Sequence, residues 1–222
     1  MTAVDSAIEV RGEAELRLHT APIYRAARFE MSCTAPDLRT WSVLHLSTDA
    51  APAVPSWVPR VPHGFRVRKL YSPQVVLDPR SARHADQIEA LGARIRISTD
   101  PLHETILIDR RAVIMAGDPD ERPRCYRVLF APEVVHSVAA LFDAAWRKAT
   151  DRSVYEASLT GLRALAPGLL DALASGAKDE AAARELGLSL RTYRRRVAEL
   201  MAAVGATSRF QAGLCARELG LV

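Results

Sequence analysis

Near the end of the chain, the run Asp179-Glu180-Ala181-Ala182-Ala183-Arg184-Glu185-Leu186 is followed by Gly187-Leu188-Ser189 and then by a second run, Leu190 to Val204, that is apolar on one side and arginine-rich on the other. This feature constrains the fold most. The first run is made of strong helix formers. Gly187 supplies a left-handed backbone residue at little cost, and Ser189 is placed to accept from the first free N–H groups of the next helix. Two helices joined by a turn of three or four residues containing Gly form a helix-turn-helix. In the second run Tyr193, Val197, Leu200, Met201 and Val204 recur at helical spacing and form one stripe, while Arg191, Arg194, Arg195 and Ala198 fall on the other face. A helix over Leu169–Ser175, closed by Gly176, and another over Ser208–Leu219 complete an expected four-helix unit.

Charge distribution supports a nucleic-acid partner for that unit. The chain of 222 residues has a formal net charge of +4, and from Thr160 onward there are nine Lys/Arg against six Asp/Glu. The basic excess is therefore concentrated in the smaller, C-terminal part, where an electrostatic footprint for DNA is expected. Arginines near the start of the second helix of such a motif are placed to enter a major groove, where a guanidinium reaches guanine or a phosphate.

The run from Asp179 to Val197, with Val204-Gly205-Ala206-Thr207-Ser208-Arg209-Phe210-Gln211-Ala212 after it, resembles the LuxR-type DNA-binding domain, also called GerE- or NarL-type. The resemblance covers about sixty residues. It departs from the family at Tyr193, where Val is usual, at Arg196, where His is common, and at Ala166-Pro167-Gly168, near the place of a Thr-x-Arg-Glu opening. The resemblance implies that Arg194 and Arg195 face base edges and that Arg191, Thr192, Arg196 and Arg209 serve the phosphates. Lys178, just ahead of the first run, joins them as a DNA-binding candidate. It also implies double-stranded DNA as partner and a homodimer on an inverted repeat, because one such unit buries too little interface for strong discrimination.

The preceding part reads as α/β. Helical composition over 13–18 and 23–28 is interrupted at Pro22, and 29–33 alternates as a strand. Residues 50–62 carry four prolines and are expected to be a loop. Strands are expected at 65–71, 93–98, 105–109, 112–116 and 125–130, with helices over 81–91 and from Pro132 to about Ala149. The last of these would bury Val134, Val135, Val138, Leu141, Phe142, Ala145 and Trp146. The polar stretch 150–160 is the expected boundary between a sensor or dimerisation domain, 1–155, and the DNA-binding domain, 160–222.

The stretch Gly92 to Gly117 resembles one lobe of a phospholipase-D-like domain, as in TrmB-like regulators of actinobacteria that end in a LuxR-type module. The fold class expected is thus an α/β phospholipase-D-like domain followed by an all-α four-helix domain. The sensor domain that binds acyl-homoserine lactones is of similar length and implies the alternative, a quorum-sensing regulator. Its Trp/Tyr/Asp/Trp pocket pattern has no counterpart around Trp41, Trp57 or Tyr71.

Phospholipase D chemistry needs a His nucleophile, a Lys two residues later and an Asp beyond. Here His103 is followed by Thr105 in the place of Lys, and Asp109 falls one residue early. A nucleophile lacking its cationic partner lacks the stabilisation its transition state needs, so no catalysis is expected and a phosphodiesterase is the remote alternative. His103 is instead the candidate residue for a small-molecule effector. Arg66/Arg68 and Arg94/Arg96 are read as solvated faces, with the lining of an anion pocket as the alternative, and Cys33, Cys125 and Cys215 as apolar filler rather than a metal cluster or disulfide framework. No cofactor or metal is expected. Without a run of eighteen apolar residues or a secretory leader, the cytoplasm is the expected location and a membrane is not an expected partner.

Overall fold

A computed structural model describes residues 7–36, 64–77 and 79–218. The framework is one eight-stranded mixed sheet, ordered β1-β7-β6-β5-β2-β3-β4-β8. Its strands are β1 (Ala7–Arg11), β2 (Glu30–Ala35), β3 (Arg66–Tyr71), β4 (Arg94–Ile97), β5 (Thr105–Ile108), β6 (Ala112–Ala116), β7 (Cys125–Leu129) and β8 (Thr150–Asp151). β2, β3 and β4 run parallel, and every other neighbouring pair is antiparallel. The Pro-rich stretch 50–62, Trp41 and Trp57 lie outside the described residues.

The alternation within each strand divides the sheet into two faces. Cys33, Ala35, Tyr71, Ile95, Ile97, Ile106, Ile108 and Ile114 belong to one face and to the main buried cluster. Leu107 and Val113 belong to the other, beneath Val135 and Ala139 of α4 (Pro132–Lys148). The main cluster continues into the C-terminal helices through Leu159, Leu162, Leu169, Tyr193, Val197 and Leu200, so sheet and helices share buried contacts.

Several elements differ from the sequence reading. α1 (Glu13–Ala26) runs unbroken through Pro22, because Leu16, Thr20 and Tyr24, one turn apart, bury one side of it and outweigh one missing N–H. β1, the short α2 (Gln74–Leu77) and β8 were not expected. β1 is short, and its alternation of Ile8 and Val10 with Glu9 and Arg11 is the signal it left. α3 (Pro79–Ala90) begins two residues before the expected helix.

In α4 the buried residues are Val135, Ala139 and Phe142, whereas Val134 and Leu141 face outward. The seam against β5 and β6 is narrower than the apolar content suggested. The expected boundary stretch is itself regular structure. α5 (Arg152–Ala174) spans it as one helix of 23 residues with Pro167 inside. Leu159 in that stretch and Leu162 and Ala166 just beyond it are buried at helical spacing, so the polar stretch opens an amphipathic helix.

α6 (Asp179–Glu185), α7 (Leu190–Ala203) and α8 (Arg209–Glu218) complete the chain's described part. Gly176, Gly187 and Gly205 end α5, α6 and α7 with φ of +69°, +66° and +69°.

Candidate nucleic-acid interface

α7 is oriented by what it buries. Tyr193, Val197, Leu200 and Ala203 sit inside, against α5 and α6. Each is three or four residues from the next, so the opposite face must be outward. The helix begins sharply at Ser189, whose hydroxyl accepts from the Thr192 amide at 3.1 Å. The Thr192 hydroxyl is 2.9 Å from the same oxygen, so Thr192 is engaged with the cap. At the start of α8, the Ser208 hydroxyl accepts from the Gln211 amide at 3.2 Å.

The arginines expected to meet DNA divide by environment. Arg191 is exposed, as is Lys178 ahead of α6. Arg195 is 63% exposed and reaches Glu199 at 3.5 Å. Arg194 and Arg209 come from different helices and meet one carboxylate: Arg194 Nε donates to Asp179 Oδ2 at 2.9 Å, and Arg209 donates to Asp179 Oδ1 at 2.8 Å. The Arg209 bond, and then the Arg194 bond, hold the Asp179 carboxyl below its ordinary value. Arg196 is the outlier. It is 24% exposed, pairs with Glu199 at 2.8 Å and lies over Gly161 of α5. Its position three residues after Tyr193 and four before Leu200 turns it toward α5, off the face formed by Arg191, Arg194 and Arg195, so the phosphate role that the resemblance implied does not fit it.

The result is a surface on which α6, α7 and α8 each contribute charge, with exposed guanidiniums along the outer side of α7 and Asp179 bracing two of them. Arg forks present several donors in a plane and suit phosphate oxygens and the guanine edge.

The other sequence candidates lie elsewhere. His103 is exposed just ahead of β5, and its backbone carbonyl, rather than its ring, accepts from the Thr34 hydroxyl. Thr105 pairs with Thr34 and Met115 in the sheet. Asp109 accepts from three successive amides: Arg28 at 2.7 Å, Phe29 at 2.8 Å and Glu30 at 2.9 Å. Burial raises its carboxyl but those three bonds outweigh it, so it stays low. Asp109 thus serves to hold the chain entering β2. Among the described residues no group of His, Cys, Asp and Glu is arranged to hold a metal. Nor is any helix there long and apolar enough to cross a membrane. Cys33 is buried, and burial pushes its thiol up to about 11, against the lowering effect of Lys69.

Arg68 and Arg96 correct the reading of the basic pairs as solvated. Arg68 stacks on Phe142 at 4.8 Å and bonds Asp143 at 2.8 Å. Arg96 lies over Trp146 at 5.1 Å and bonds its carbonyl. Arg66 and Arg94 remain exposed. The aromatic side of α4, not the strand pattern, decides which of each pair is covered.

No family model matches this chain. A bialaphos biosynthetic pathway regulatory protein from Streptomyces hygroscopicus is 29% identical to it over 160 residues, which are 72% of this chain and 62% of that protein. Among solved structures, TrmBL2, an archaeal chromatin protein, superposes with a TM-score of 0.50 at 17% identity, over 67% of this chain and 54% of that one. Nuc, a phospholipase D family member from Salmonella typhimurium, gives a TM-score of 0.48 at 14% identity, over 65% of this chain and 97% of its own. The chain therefore spans about three fifths of the curated relative's length and about half of TrmBL2, and with TrmBL2 it shares a fold.

Proposed function

We propose that this protein is a DNA-binding transcription regulator. The observation that carries the reading is the outer face of α7: Arg191, Arg194 and Arg195 exposed at the start of a Ser-capped helix whose opposite face is buried. The names of the two relatives support it, one a regulatory protein and the other a chromatin protein described for its mode of DNA binding.

In this reading, residues 160–222 act as a helix-turn-helix domain of LuxR type and α7 enters the major groove. Arg195 and Arg194 read base edges. Arg191, Thr192, Arg209 and Lys178 serve phosphates, Arg196 supporting α7 from behind. The sheet domain, roughly 1–155, is of TrmB-like and phospholipase-D-like kind and serves for sensing or dimerisation, with His103 the effector candidate. Two copies bind an inverted repeat with half-sites about 34 Å apart. Hydrolysis is not proposed, since Thr105 stands in place of the phosphate-binding Lys and Asp109 is committed to backbone amides.

The test is selection of bound sequences from random double-stranded DNA with the full chain. An enriched inverted repeat supports a dimeric, specific regulator. Equal recovery of all sequences at every salt concentration would sink the sequence-specific reading.

A further inference from the structure

A second cluster of arginines lies at the opposite end of the strands from Gln74 and α7, and the α7 reading does not use it. Five exposed arginines meet there: Arg28 leading into β2, Arg66 heading β3, Arg94 heading β4, and Arg110 and Arg111 in the β5–β6 turn. β4, β3, β2 and β5 are consecutive in the sheet, so the cluster extends over about 14 Å.

The carboxylates beneath are already engaged. Glu30, 4% exposed, takes Arg110 at 2.9 Å and Arg66 at 3.2 Å. Asp143 takes Arg110 at 2.7 Å and Arg68 at 2.8 Å. Asp109 is filled by the three amides. Counting Arg68, six arginines face three carboxylates, so the edge keeps an excess of positive charge from within its own fold.

Arg110 adds an independent sign of selection for this charge. It and Asp109 occupy the turn with φ of +53° and +48°. A residue other than Gly pays about 1 kcal/mol or more to sit there, and Gly or Asn is the ordinary choice. Here a long cation takes the strained position and is clamped in orientation by Glu30 and Asp143. Backbone strain held in place by surrounding bonds concentrates at functional sites. The clamp fixes the guanidinium before any partner arrives, which reduces the ordering cost of a charge-assisted bond.

We infer that this edge of the sheet is a second phosphate-binding surface, and that its partner is the DNA backbone. The inference rests on the DNA-binding reading above, since it takes the same polyanion as the partner of both surfaces. Arginines spread over several strands, with Arg110 clamped among them, suit a line of backbone phosphates and carry no base selection. The surface therefore adds affinity and salt dependence, while α7 supplies sequence preference.

The experiment measures binding of the full chain to a long duplex of random sequence across a salt series. Three proteins are compared: the unaltered chain, an edge variant (Arg66→Gln, Arg94→Gln, Arg111→Gln) and an α7 variant (Arg191→Gln, Arg195→Gln). Gln keeps most of each side chain and leaves the Glu30–Arg110–Asp143 clamp, and thermal melting checks that each variant folds. Each phosphate that the protein no longer neutralises lowers the slope of log K against log salt by about 0.9. The edge variant is expected to lose about 2.7 from that slope, with its preference among selected sequences unchanged.

The α7 variant is expected to lose sequence preference yet keep salt-dependent binding, whose slope falls by about a further 2.7 when the edge substitutions are added. An edge variant with the slope of the unaltered chain overturns the inference. Edge-dependent capture by phosphatidylserine vesicles, with no change on DNA, overturns the choice of partner. If the unaltered chain discriminates no sequence, the α7 reading fails, while the comparison of slopes still decides the edge.

Discussion

Gln74 Nε2 donates to the Val204 carbonyl across 3.0 Å, joining the helix that follows β3 to the last turn of α7. α2 lies just past the carboxyl end of β3, on the side of a parallel sheet where ligands bind in open α/β folds. The neighbouring Ser72 hydroxyl donates to the Pro36 carbonyl at the end of β2. A displacement at these strand ends therefore has a direct route to the end of the helix proposed to read DNA.

Gly205 is the place to test that route. It sits at φ +69°, and a Cβ there would run into Gln74 Nε2. Gly205→Ala is expected to destabilise by about 2 kcal/mol, from the left-handed backbone and the collision together. Gln74→Ala, which removes only the bond, is expected to cost about 1 kcal/mol. Hydrogen exchange at the C-terminal turn of α7 should rise in both variants. Exchange that stays at the original rate in Gln74→Ala would mean that the bond does not restrain α7.

Asp179 sets an acid limb to stability. Its carboxyl is lower in the native protein than the ordinary 3.8, chiefly through Arg209 and then Arg194. A depressed carboxyl stabilises fully above its unfolded value and loses that contribution as pH falls through 3.8 toward the native value. Thermal melts between pH 7 and pH 2 should show part of the acid loss removed in Asp179→Asn, with the two proteins converging at the acid end. Parallel curves at all pH values would assign the acid limb to other carboxylates.

The arginines of the candidate interface are expected to separate by readout. Arg195→Ala should relax base preference and cost about 1–3 kcal/mol on the best operator. Arg209→Ala should weaken all sequences alike. Arg196→Ala should show itself mainly in the melting temperature, because the guanidinium packs over Gly161 and pairs with Glu199. Competition binding against a panel of single-base variants distinguishes the three, and a reversed pattern for Arg195 and Arg209 would reverse their roles.

Arg152 is expected to be a point of failure between α3 and the start of α5. It is 5% exposed at the start of α5 and meets Asp86, Glu89 and Glu156, each at 2.7 Å. Arg152→Ala removes a buried guanidinium and its bonds and leaves three partly solvated carboxylates facing one another, and a loss of about 2 kcal/mol is expected from chemical denaturation. Arg152→Lys, keeping the charge without the fork, should recover only part of it.

Asp109 separates a structural role from a chemical one. Asp109→Ala strands the amides of Arg28, Phe29 and Glu30 and should cost about 2 kcal/mol or more. A phosphodiester assay on the unaltered chain is expected to show no turnover abolished by His103→Ala, and turnover that depended on both residues would restore the enzymatic reading.

Local signals in the sequence determined α6, α7 and α8 closely, whereas the short helix read over Leu169–Ser175 is the end of the longer α5. Ser189, Gly187 and Gly205 act through bonds and dihedrals within a few residues, so their effect is readable from neighbours alone. Strands β3 to β7 were legible for the same reason, as short alternating runs or, for β5 and β6, which are buried on both faces, as short apolar runs joined by a turn. What spacing along the chain did not determine was anything set by contacts between distant segments. α1 continues through Pro22 and α5 spans the expected boundary because each buries a continuous stripe against the rest of the molecule, and burial outweighs a local penalty. Arg68 lies covered and Arg66 exposed, though they share a strand face, because only one of them stands beneath Phe142. The bracing of Arg194 and Arg209 by Asp179, and of Arg110 by Glu30 and Asp143, joins residues 15 to 80 positions apart. A side chain's exposure and charge partners depend on what the fold brings next to it, and only the tertiary structure decides that.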